Sequence, residues 1–226
     1  MLVIMLLSIA IVGGSLAWFT AEDEVTNTFT VGSIKIEQHE KDENGDPFVQ
    51  GQTLMPIVNM AEPSKDTNYM HKVVTLENTG KNPAYVRTHI AYPIELFPDY
   101  LKLDIAKDTG WQYEGFYLTD DYAVYYYYHI DALDAGDVTL PLLNGVYLDA
   151  KTDVQVNPES GKMEFCMWDS SANAFDFSNF IVTDDVEVEI IIITQAVQAE
   201  GFNGFPEDAL LAAFGEPRAE NTPINP

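Results

Sequence analysis

Residues 68–92 read NYMHKVVTLENTGKNPAYVRTHIAY, and this stretch decides the class of fold. Two runs rich in β-branched and aromatic residues, 68–77 and 84–92, flank NTGKNP, which has the Asn, Gly and Pro typical of a turn. In the second run, alternate side chains would point to opposite faces of a sheet: Tyr85, Arg87, His89 and Ala91 to one, Val86, Thr88, Ile90 and Tyr92 to the other. The pattern predicts two neighbouring strands joined as a β-hairpin.

Similar strand patterns, separated by Gly, Pro, Asn and Asp, recur along the chain. Further strands are predicted at residues 28–38, 110–117, 122–131, 138–146, 163–168 and 186–197. The last of these, VEVEIIIITQAV, becomes continuously apolar, as a central strand covered on both faces does. One short helix is predicted at residues 207–214, before Gly215. Many short strands and few helices predict an all-β fold, an antiparallel Ig-like β-sandwich with a short C-terminal helix.

The N-terminal run, MLVIMLLSIAIVGGSLAWFT at residues 1–20, has the composition of an export signal. It is almost entirely apolar until Gly13-Gly14, a pair that breaks a helix. Ser15 and Ala17 put small residues at the two positions that a signal peptidase reads. Cleavage is therefore expected after Ala17, and the mature chain would begin at Trp18.

This interpretation divides the chain into three parts: an N-terminal signal helix at 1–17, a β-sandwich domain at 18–217 and a disordered, Pro-containing tail at 218–226. A permanent membrane anchor and a buried core helix are the alternatives for the first part. Signal peptides ordinarily open with a basic residue, whereas the first one here is Lys35. Either the true start lies upstream or the sequence is trimmed.

Several motifs resemble one family. GGSLAWFT at 13–20 resembles the signal of proteins processed by the dedicated W-type signal peptidase of Gram-positive bacteria, with Ala21 in place of the final Asp of that pattern. TFTVGSIKI at 28–36 and IIIITQAVQAEGF at 190–202 are similar to the first and closing strands of the TasA/camelysin group of biofilm-matrix and cell-surface proteins. VTLENTG followed by AYVR, within 74–87, is similar to a hairpin of the same group. The resemblance implies a jelly-roll-like sandwich, secretion and assembly into matrix fibres, and on its camelysin side a metalloprotease.

The charge of the chain restricts its partners. The formal net charge is −25, so nucleic acid and anionic membranes are not expected to bind. Copies of the chain would also repel each other at low salt, so self-assembly must depend on strand pairing and apolar burial, helped by salt, divalent cations or low pH.

Apolar residues make up 46% of the sequence, which excludes wholesale disorder. Cys166 is the single cysteine, so an intramolecular disulfide cannot form.

Catalytic motifs are not recognisable in the sequence. His39-Glu40 would open a His-Glu-x-x-His zinc motif, but Glu43 stands where the second histidine belongs. The other histidines, His71, His89 and His129, lack ligand-like spacing. We therefore predict no catalytic residue, no metal site and no enzyme activity.

An acidic turn raises the question of calcium. DENGD at residues 42–46 begins like a helix-loop-helix calcium loop, but Pro47 and Thr53 occupy the positions that need Gly and Glu. We interpret it as a solvated turn whose crowded carboxylates are compatible with weak calcium binding. No cofactor is otherwise expected.

A run of four tyrosines, residues 125–128, is the candidate surface contact. In a strand, Tyr125 and Tyr127 face one way and Tyr126 and Tyr128 the other. One pair should pack in the core and the other should lie outside.

These observations lead to the hypothesis of a secreted, non-enzymatic structural protein of the cell surface or biofilm matrix, with no stable membrane anchor after cleavage. Its expected partners are the signal peptidase during export and its own copies in filaments. The segment 18–37 would complete the sheet of the next copy, with four apolar anchors: Trp18, Phe19, Val25 and Phe29. The alternatives are a monomeric surface binding or adhesion module that uses its aromatic strands and, third, a metalloprotease.

Overall fold

A computed structural model describes residues 34–49, 54–183, 188–202 and 205–224. The signal region and most of the proposed donor segment lie outside these residues. The strands of the described part are β1 (Ile36–Lys41), β2 (Met70–Asn78), β3 (Ala84–Pro93), β4 (Leu101–Ile105), β5 (Trp111–Leu118), β6 (Tyr122–His129), β7 (Leu143–Leu148), β8 (Thr152–Val156), β9 (Met163–Asp169), β10 (Ala174–Ile181) and β11 (Ile191–Gln198). An α-helix, α1 (Pro206–Phe214), follows the last strand, and short 3₁₀ turns lie at Pro63–Lys65, Ile94–Leu96 and Ala219–Asn221.

The strands form three antiparallel sheets. The first sheet has the order β1-β2-β7-β4, the second β11-β3-β6-β5 and the third β10-β9-β8. The first two pack face to face, since Val74 and Val146 of the first contact Ile90 and Tyr127 of the second. The predicted all-β antiparallel sandwich is confirmed.

The predicted hairpin between residues 68–77 and 84–92 is wrong. β2 pairs with β1 and β7, whereas β3 pairs with β11 and β6, so the two strands belong to different sheets. The intervening segment crosses from one layer to the other, and the buried Asn78 amide holds the crossing by donating to the backbone oxygens of Asn82 (2.9 Å) and Leu133 (2.8 Å). Crossing lets the apolar faces of both strands meet inside the sandwich, where burial stabilises them.

The two faces of β3 are divided as the alternation predicts. Val86, Ile90 and Tyr92 face the interior of the sandwich, while Tyr85 packs against α1. The strand β3 is therefore buried on both sides, by the first sheet and by the C-terminal residues.

The C-terminal tail takes part in this cover. The disorder expected for 218–226 is not what the structure shows for 218–224, because Ile224 is only 1% exposed and packs against Ala91 and Val124. Thr222 Oγ1 lies 2.8 Å from the Tyr117 hydroxyl, and Asn221 donates to the backbone oxygen of Glu216. An apolar outer sheet face needs such a cover, and composition alone did not reveal that the tail supplies it.

His89 lies at the centre of this outer layer and should make stability depend on pH. Its ring is fully buried against Gln195 and Tyr117, and burial, with a smaller contribution from the charge of Arg87, lowers its pKa to about 3. The unfolded chain takes up a proton near pH 6.5, whereas the folded one does not until far lower pH. Stability is therefore complete above pH 6.5 and is lost as the pH falls below it, by about 2 kcal/mol between pH 7 and pH 5.

The measurement is urea unfolding of wild type and His89→Asn across that pH range. The difference in unfolding free energy between the two proteins should change by about 2 kcal/mol between pH 7 and pH 5 and stay constant above pH 7.5. A constant difference throughout would show that His89 takes up its proton equally in both states.

Candidate functional site

The tyrosine run lies in β6, and the sheet divides it between two environments. Tyr125 and Tyr127 face the first sheet, and Tyr127 is buried in the core with Leu143 and Val146. Tyr126 and Tyr128 are on the opposite face, beneath α1. The four residues therefore do not form one common surface.

The outer pair lines a pocket of about 250 Å³ between the second sheet and the C-terminal residues. Arg87 lies in its floor, donating Nε and Nη2 to Gln195 Oε1 (3.0 and 2.6 Å) and Nη1 to the backbone oxygen of Gly215 (3.1 Å). Burial lowers the pKa of this guanidinium to about 10, so it stays charged at neutral pH. Three glutamates also line the pocket, so its formal charge is negative: Glu114, Glu207 and Glu216.

A second site lies where the first two sheets end, at β4 and β5. Among the described residues, β4 pairs only with β7 and β5 only with β6, so each leaves one margin without a strand partner. A cleft of about 310 Å³ lies along β4, and we call it the β4–β5 groove because Tyr113 of β5 contacts two of its tyrosines. Its lining residues are Tyr92, Pro98, Leu101, Lys102, Leu103, Ile105, Tyr125, Tyr127 and Tyr147.

Aromatic rings extend this groove from the core to solvent. Tyr113 of β5 lies 5.4 Å from Tyr127, and Phe116 lies 5.9 Å from Tyr125 and 5.1 Å from Phe97, measured between ring centroids. Tyr113 is 47% exposed and Phe116 49% exposed, although both contact core residues. Large apolar rings that are half in solvent beside unpaired strand margins suit an added strand.

A β-bulge creates this ring surface. Tyr113 and Phe116 are three residues apart, so regular alternation would place them on opposite faces. The register shift between Tyr113 and Gly115 inserts Glu114 as an extra residue and returns both rings to the face of Tyr125. Gly115 has φ +157°, and a Cβ there would come within 2.9 Å of the Tyr126 hydroxyl. Gly115 is the one signal in the sequence that could have indicated this bulge.

The chemistry of the groove is that of an apolar surface with hydroxyl groups. Burial raises the pKa values of Tyr113 and Tyr127, so both phenols stay protonated and can donate hydrogen bonds. Lys102, at the rim, donates to the backbone oxygen of Pro98 (3.1 Å) and adds a positive charge. The groove can therefore accept apolar side chains and nearby carboxylates.

The signal and anchor residues fall outside the described residues: Ser15, Ala17, Trp18, Phe19, Val25 and Phe29. The end of the expected donor segment is described, and it is held within its own domain. Ile34 and Ile36 are buried against Leu76 and Val86, and β1 pairs with β2 from Ile36 onwards. A donated segment must therefore end before Ile34, and not at Glu37.

The acidic turn at 42–46 is closed by Asp42. Its Oδ1 accepts the backbone N–H groups of Asn44 (2.8 Å) and Asp46 (2.9 Å), and these bonds hold the pKa of Asp42 below its usual value. This is the geometry of a turn closed by an Asp side chain.

The helix α1 has nine residues, and in the described part of the chain no helix is long and apolar enough to cross a membrane. Comparisons with protein-family models, with curated proteins and with solved structures found no match to this chain.

Proposed function

We propose that this protein is a secreted structural protein of the cell surface or biofilm matrix, whose copies form fibres by N-terminal strand donation. The observation that supports this most directly is the β4–β5 groove, where two strand margins lack partners and Tyr113 and Phe116 are half exposed. The sequence resemblance described above implies the same assembly.

The donor segment fits the groove in length and chemistry. Residues 18–33 precede the buried Ile34, and a strand of five to eight of them would match the lengths of β4 and β5. Such a strand spans about 17–27 Å and places alternate side chains on one face. An eight-residue strand at 22–29 would place Val25 and Phe29 on one face, against the aromatic rings, with the carboxylates at 22–24 near Lys102. Trp18 and Phe19 precede that strand and would be the anchors at its start.

Donation from one copy to the next is a head-to-tail contact. The donor and acceptor surfaces differ, so each added copy presents a new groove or a new donor segment. Because the contact depends on main-chain hydrogen bonds and apolar burial, it can form despite a net charge of −25 once salt screens the repulsion.

The test compares the mature protein beginning at Trp18 with a form that lacks residues 18–28. We expect filaments by electron microscopy from the first and monomers from the second, because the deletion removes three of the four anchors. Circular dichroism and thermal unfolding should show that the shorter form is folded. Filaments of unchanged number and shape from the shorter form would refute strand donation.

A monomeric binding or adhesion module is the second candidate, because the same groove could accept an extended segment of another protein. The mature protein would then stay monomeric in sedimentation at high concentration, with salt and calcium present.

A further inference from the structure

We propose that Glu37, His39 and Glu77 form a binding site for a divalent transition-metal ion, with zinc the best match, on the β1–β2 pair. The proposal is independent of strand donation. A His-Glu-x-x-His pattern does not reveal this site, because its third ligand, Glu77, comes from another strand.

The strand register brings the three side chains together. Glu37 lies directly opposite Glu77, and His39 is two residues further along β1 on the same face. Each residue offers one ligand atom. The two carboxylate oxygens and the imidazole nitrogen lie within 4.8 Å of one another. His39 Nε2 is already 2.9 Å from Glu77 Oε2. Because the backbone pairing fixes this arrangement, only small side-chain rotations are needed to surround one ion.

The charges of the three residues favour a cation between them. Like charges directly opposite in a sheet are destabilising, and Glu37 and Glu77 are such a pair. Lys35, at 43% side-chain exposure, forms an ion pair with Glu37. An ion pair with His39 would neutralise the charge of Glu77 alone. A bound dication would neutralise the charges of both Glu37 and Glu77.

The donor atoms select the metal. Calcium and magnesium prefer all-oxygen sites, whereas an imidazole nitrogen with two carboxylate oxygens suits zinc and its transition-metal neighbours. Three protein ligands leave a fourth position for water or another ligand. The side chains are half-buried, at 27%, 32% and 34% exposure for Glu37, His39 and Glu77, so an ion can enter from solvent.

A bound ion would join an outer strand of the first sheet to its neighbour. β1 is the first described strand after the N-terminal segment, and it has only β2 as a partner among the described strands. A metal bridge from Glu37 and His39 to Glu77 would stabilise this end of the sheet.

The experiment is calorimetric titration of the metal-free mature protein with zinc, and separately with calcium. We expect one zinc ion per chain, a rise in the unfolding temperature, and no calcium binding at this site. His39→Ala and Glu77→Gln should each weaken zinc binding at least ~10-fold. Lys35→Ala should bind zinc at least as tightly as wild type, because it removes the cation that competes for Glu37.

The matched control is His71→Ala, which removes a histidine of β2 that pairs with Glu43 instead. This variant should bind zinc like wild type. Equal zinc affinity in wild type, His39→Ala and Glu77→Gln would overturn the proposal, as would the absence of binding. If His39→Ala does not fold, Glu77→Gln, which keeps the shape of the side chain, decides the question.

Discussion

Replacing Phe116 by lysine is expected to abolish fibre formation by the mature protein while leaving the monomer folded. The ring is 49% exposed in the single chain, so its loss should cost the fold about 1 kcal/mol or less. In the proposed fibre the same position is covered by the donated strand, where a charged group would be buried without a partner. That burial costs several kcal/mol, enough to prevent a contact formed by one strand. Electron microscopy and analytical sedimentation measure the outcome.

The matched control is Phe175→Lys, which places the same charge on an exposed ring of β10 in the third sheet. It should form fibres like wild type. Normal fibres from Phe116→Lys would show that the β4–β5 groove is not the acceptor, even if deletion of residues 18–28 abolishes assembly. Loss of fibres in both lysine variants would indicate a general effect of the substitution and not a specific site.

Lys72→Met is expected to destabilise the fold by about 3–5 kcal/mol. Lys72 and Glu40 form an ion pair with each side chain only 7% exposed, and the Lys72 ammonium also lies 4.2 Å from the centre of the Phe48 ring. Removing the lysine leaves a buried carboxylate without its counter-charge. Urea unfolding should show a lower midpoint, and the double variant with Glu40→Gln should recover most of the loss, since neither charge then remains buried.

The control for this prediction is Lys65→Met, which breaks the exposed pair with Glu62 and should change stability by about 0.5 kcal/mol or less. A loss below about 1 kcal/mol for Lys72→Met would mean that water reaches Glu40 and solvates it in the folded protein.

The sequence indicated most of the strands, although not β4, β8 or β10, and it indicated which side of β3 each residue faces, but it did not indicate the strand partners. Alternation in residues 84–92 correctly separates the two faces of β3, because side-chain direction is a local property of an extended chain. Pairing is not local. The turn-like residues between β2 and β3 suit a hairpin, yet they form the crossing that the buried Asn78 holds.

The candidate sites also depend on strand pairing, which local sequence patterns do not reveal. The tyrosine run was visible in the sequence, but the groove also depends on Tyr113 and Phe116, which share a face only because of the bulge at Glu114. Glu77 lies next to His39 only because β1 pairs with β2. Neither a bulge nor a pairing register can be obtained from local periodicity.

The position of β3 also has a consequence for how the chain folds. Its partner β11 lies more than 100 residues later in the sequence, with Ala84 paired to Gln198, so this central ladder cannot be completed until residue 198 has been made. Closing so long a loop costs entropy before any contact compensates, and β proteins with such distant pairings fold in milliseconds to seconds. If the chain is exported as we propose, this delay would keep the polypeptide unfolded and able to pass through a translocation channel until β11 has been made.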